Sequence, residues 1–222
     1  MLKAIFYKEW LKTSRTFAVC VLVGIAIAVY VVLGINRIVV NKGVDHVWLI
    51  MLMKDRLFID AMRYVPLLIG LAIGISQMAP EVSHKRLKLT LHLPYSSEKL
   101  IGLMLLTGIV ELLLIFVAME SVVFGYESTI LPHELVNRGL LTTLPWLMGG
   151  LVAYLFATAV CLEGTWKNRI LLGLMGVGVL SVLYMQGAPE GYNGMLVMLV
   201  IMMILTIALT YRSVYRFKEG RQ

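Results

Sequence analysis

The sequence predicts an all-α membrane protein of six transmembrane helices, with both termini in the cytoplasm. Three observations carry that reading. Of the 222 residues, 59% are hydrophobic and 15% charged, whereas soluble domains carry about 45–50% apolar and about 25% charged residues. The apolar residues gather into six runs able to cross about 30 Å of hydrocarbon. The basic residues gather at one set of run ends. Only Arg37, Lys42, Lys54, Arg56, Arg63 and Arg138 fall on the far side, and the rest lie with the termini. The positive-inside rule puts that richer side in the cytoplasm.

The chain opens with MLKAIFYKEWLKTSR. Leu2, Ile5, Phe6 and Trp10 recur near helical spacing, with Lys3, Lys8, Lys12 and Arg15 between them. This predicts a basic amphipathic helix over residues 1–15, lying in the inner interface. A membrane-proximal start of the first span is the alternative. The segment is too long and too charged for a secretory n-region, and no small-x-small site follows it, so it is read as retained.

Crossings are expected at about 17–35, 64–80, 100–123, 140–162, 170–186 and 195–211, forming one domain over residues 1–222. Residues 36–63 form an outer segment whose apolar stretch VWLIMLM is too short to cross. It predicts an interfacial or re-entrant helix with Trp48 at the headgroup level, acting as a lid or packing over the outer span ends. Gly70 and Gly74 give the second span a small-xxx-small face, and Gly173, Gly176 and Gly178 crowd the fifth. Such faces let backbones approach closely, within one chain or between protomers.

Glu111 and Glu120 are the acids expected inside an apolar run. A carboxylate near the bilayer centre costs about 2.5–3.5 kcal/mol on insertion scales, so both are candidate transport-path residues. No Lys or Arg falls within a span to pair with them. Glu111 is therefore expected to be neutral, hydrogen-bonded to a neighbour, or facing a wet cavity. Their nine-residue spacing turns an ideal helix through about 180°, so the two do not share a face.

Other chemistries find little purchase. Cys20 and Cys161 sit inside apolar runs and read as small core residues, and no metal site is expected. The 14 methionines are spread through the spans and read as packing. His133-Glu134-Leu135-Val136-Asn137 ends in Asn where a zinc protease helix needs His. No histidine falls within a span to activate Ser76. No phosphate-binding P-loop occurs, so the chain does not bind ATP by that route. The scattered basic residues mark span ends and form no nucleic-acid face.

The densest charge away from the termini lies in residues 81–102, EVSHKRLKLTLHLPYSSEKLIG. Glu81 follows the second span; Lys85, Arg86 and Lys88 form a basic patch; Leu91-His92-Leu93-Pro94 and a hydroxyl residue follow. Lys99-Leu100-Ile101-Gly102 then leads into the third span. This arrangement, with the layout of the whole chain, resembles a type-2 ABC transporter permease. In that family an amphipathic elbow helix occupies the N-terminus and the ATPase is a separate polypeptide, which fits the missing P-loop. The resemblance implies a transport subunit, an exporter, with no enzymatic activity or cofactor of its own. ATP and Mg would be bound by the partner ATPase. A second permease copy, identical or not, would complete a dimer in the cytoplasmic membrane.

On this resemblance Glu81, Arg86, Lys88, His92 and Pro94 lie in or beside a coupling segment, residues 81–99, that docks on the ATPase. Headgroup anchoring accounts for Lys85 and Lys99. It does not account for Leu89, Leu91 and Leu93, which need a surface to cover them. Two other readings share the topology: a membrane assembly or scaffold protein without an ATPase, and an intramembrane enzyme whose turnover would depend on Glu111 or a histidine.

Overall fold

A bilayer leaves no water for backbone N–H and C=O groups, so a spanning segment must satisfy them internally. The computed structural model, which describes residues 2–83, 97–185 and 188–218, shows helix as the regular structure throughout those residues. In order the helices are α1 (Leu2–Lys42), α2 (Val44–Met53), α3 (Val65–Ser83), α4 (Ser97–Ile130), α5 (His133–Leu162), α6 (Trp166–Tyr184) and α7 (Leu196–Lys218). Short 3₁₀ turns at Asp60–Met62 and Asn193–Met195 lead into α3 and α7. All but α2 are long and apolar enough to cross a membrane, so this is a multi-pass membrane protein.

The first helix departs from expectation. Residues 2–15 do not form a separate amphipathic helix; they are the opening turns of α1, whose 41 residues run unbroken for about 60 Å. Trp10 and Leu11 are 42% and 59% exposed, while Glu9 and Thr13 are fully buried. The neighbouring helices offer polar partners, so Glu9 and Thr13 turn inward, on the same side as the half-buried Ile5, while Lys3 and Arg15 stay exposed.

At the far end, Gly43 adopts φ +83, a left-handed turn that glycine enters without strain, and reverses the chain into α2. There α2 buries Val47 and Met51, one turn apart, and leaves most of its other side chains exposed. Arg138 of α5 donates to the Met51 carbonyl at 3.2 Å and pairs with Asp55 at 2.6 Å. The segment between α1 and α3 thus packs over the ends of the spans away from the termini.

The closest helix pair is α3 on α5. A Cβ built at Gly70 would lie 2.1 Å from the Gly150 carbonyl oxygen, and one at Gly74 would lie 2.9 Å from the Tyr154 carbonyl. The small-residue face of α3 is therefore an intrachain contact. On α6 only Gly176 packs inward, against Phe156, while Gly173 and Gly178 face open space. At the terminal end α7 closes on α5, where Thr210 donates to the Leu155 carbonyl at 3.2 Å.

Candidate functional site

Four spans meet in a buried polar network near the terminal end. The spacing along each helix creates it. Gln77 and Glu81, four residues apart, lie on one face of α3, and Glu9 and Thr13 lie on one face of α1. All four are fully buried, as is Tyr154 of α5, and Glu111 of α4 is 2% exposed.

Lys12 is the bridge between helices. Its ammonium lies 2.7 Å from Glu9 Oε2 and 2.8 Å from Glu81 Oε1, joining α1 to the end of α3. Lys8 approaches Glu81 at 2.9 Å from a more open position, its side chain 40% exposed against 12% for Lys12. Buried carboxylates require such partners, because an uncompensated charge away from water is strongly unfavourable.

Gln77 is the hub. Its amide nitrogen donates to Glu9 Oε2 at 3.0 Å and to the Met104 carbonyl at 2.8 Å. Its amide oxygen accepts from the Tyr154 hydroxyl at 2.7 Å. Two acceptors face the nitrogen and one donor faces the oxygen, so only this amide orientation satisfies the site. The Tyr154 hydroxyl fits because Gly108 has no side chain; a Cβ there would lie 2.3 Å from it.

Glu111 closes the network. Thr13 Oγ1 lies 2.5 Å from Glu111 Oε1 and 3.1 Å from the Glu9 carbonyl, so one hydroxyl proton serves two acceptors. Three carboxylate oxygens, Glu9 Oε1, Glu81 Oε2 and Glu111 Oε2, are buried without a hydrogen-bond partner among the described residues. The network is rich in acceptors and short of donors, which makes each existing donor valuable. Tyr154→Phe should therefore destabilise the protein by about 1–3 kcal/mol, by stranding the Gln77 amide oxygen. Thermal unfolding in detergent reads this directly, and an unchanged midpoint would remove the hub.

Further along α4, Glu120 and Glu127 face α5. Thr143 donates to Glu120 Oε2 at 3.4 Å, and Glu127 Oε2 lies 3.6 Å from the Cβ position of Gly139. Glu111 meets α1 and Glu120 meets α5, as their half-turn separation requires. Neither lines the cavities described below.

The residues of the expected coupling segment divide in two. Arg86, Lys88, Leu91, His92 and Pro94 lie outside the described residues. Glu81 is described: it is buried and anchors the end of α3 to α1 through Lys12. Sequence reasoning missed Glu9, Thr13, Gln77, Tyr154 and Glu127. The i, i+4 repeats of polar residues at 8/12, 9/13 and 77/81 were the available signal for most of the network. Compared with family models, curated proteins and solved structures, the chain matches none.

Proposed function

We propose that this chain is the membrane subunit of an ABC exporter, driven by a separate ATPase that docks on the segment joining α3 to α4. Both termini and that segment then face the cytoplasm, as the distribution of basic residues favours. On this reading the first turns of α1, continuous with the first span, take the place of a separate elbow helix. ATP and Mg belong to the partner, and a second permease subunit completes the transporter.

The position of the network supports this reading most. Glu81 lies two residues before the end of α3, and Met104 lies two turns into α4. The helices that bracket the docking segment are tied through Gln77 to each other, and through Glu9, Lys12 and Tyr154 to α1 and α5. Displacement at the segment would move four helices together, which rigid-body coupling requires.

Leu91→Asp tests the docking. We expect the tagged wild-type chain to carry a P-loop ATPase through mild-detergent purification, and the variant to lose it while keeping its thermal midpoint. Retention of the ATPase by a folded Leu91→Asp chain would contradict docking at this segment.

A further inference from the structure

Two cavities of opposite character meet at Tyr64. The first is an apolar groove of about 800 Å³ between α3, α5 and α6, walled by Leu67, Leu71, Phe156, Val160, Val177 and Leu180. It opens sideways, since Ile75 and Val177 on its edges are 50% and 66% exposed. Along α3 it runs from Tyr64 to Ile75, about 16 Å of helix. That is close to the thickness of one hydrocarbon leaflet, about 15 Å. Part of its width comes from Gly173, where an added Cβ would meet nothing within 4 Å.

The second is a polar pocket of about 530 Å³ at the end away from the termini, bordered by Arg56, Asp60, Arg63, Thr142 and Trp146. Tyr64 lines both cavities and stacks on Tyr184, ring centroids 5.4 Å apart, to form the wall between them. Arg63 lies over the Tyr64 ring and donates to the Tyr184 carbonyl, so its charge sits at this junction. The Asp55 carboxylate at the pocket rim is already engaged by Arg138 at 2.6 Å. The Trp146 indole N–H is buried without a hydrogen-bond partner among the described residues.

We propose that the two cavities together bind one phospholipid, with an acyl chain in the groove and the phosphate against Arg56 and Arg63. An apolar groove inside a bilayer supplies fit but little net affinity, because lipid tails are as apolar as its walls. Selectivity must therefore come from the polar end. Arginine matches a phosphate through charge and paired donors, and the Trp146 N–H supplies a further donor to an oxygen-rich headgroup. Asp60 limits the pocket's net positive charge and suits a headgroup that carries an amine beside its phosphate. The site does not depend on an ATPase and stands apart from the transporter reading.

Native mass spectrometry of the purified full chain tests it, with phosphatidylethanolamine as the probe after a delipidating wash. Wild type should retain one phospholipid. Gly173→Leu, which fills the groove, and Arg56→Glu, at an exposed position, should each weaken retention roughly tenfold or more. Gly178→Leu adds the same bulk to α6 away from the groove, where nothing lies within 4 Å, and should behave as wild type. Equal thermal midpoints across the set show that folding is intact. No retained lipid in wild type, equal loss in Gly178→Leu, or full retention by either Gly173→Leu or Arg56→Glu would overturn the proposal.

Discussion

Lys12→Met is expected to lower the thermal midpoint of the purified protein by roughly 6–12 °C. The substitution keeps the length and the apolar stem but removes the ammonium between Glu9 and Glu81, which it contacts at 2.7 and 2.8 Å. Taking one partner from a buried ion pair costs about 3–5 kcal/mol, because the remaining charge is left uncompensated. The lower end applies, since Lys8 still reaches Glu81 at 2.9 Å. Lys8→Met should cost less, because its more open side chain shares its charge with solvent. Adding Glu81→Gln to Lys12→Met should bring little further loss, because the two act through one contact. Full additivity would show that Lys12 and Glu81 stabilise the protein independently.

Gly70→Ala should produce a loss of comparable size by a different route. Its new methyl group would lie 2.1 Å from the Gly150 carbonyl oxygen, and neither side of that contact is a side chain that can rotate away. The helices must separate, exposing the gap along the most extensive helix pair in the protein. Overpacking of this kind costs about 1–3 kcal/mol where side chains can yield, and more where they cannot. Gly74→Ala should be milder, with its nearest atoms at 2.9 Å, and Gly173→Ala neutral. Midpoints and the fraction of monodisperse protein in detergent give the ranking. If Gly70→Ala matched Gly173→Ala, the close crossing of α3 and α5 would be wrong.

The spans were legible because each is an apolar run of the required length, and length with composition decides that property. Their ends were less so. The third span was expected to stop at Val123, yet α4 continues to Ile130 and carries Glu127 inside the bundle. The inward turn of Glu9 and Thr13 was illegible for a physical reason. Periodicity shows that Lys8, Glu9, Lys12 and Thr13 are separated from Trp10 and Leu11, but not which face meets protein and which meets lipid. In water an apolar face would turn inward; among helices that offer Gln77, Glu81 and Glu111, Glu9 and Thr13 do. Glu111 was legible as an anomaly and Thr13 as its partner was not, because the contact spans 98 positions of sequence. The glycines showed the same limit. Gly70 and Gly173 look alike on the page, and only the packing separates a helix crossing from an open groove.

The central claim is that an ATPase drives this chain through the segment between α3 and α4. Mild-detergent purification from its own cells, followed by mass spectrometry of the co-purifying proteins, tests it most directly. The account predicts a P-loop ATPase in stoichiometric amount. Repeated recovery of folded, stable protein without one would contradict it and favour a membrane scaffold with the same six-helix topology.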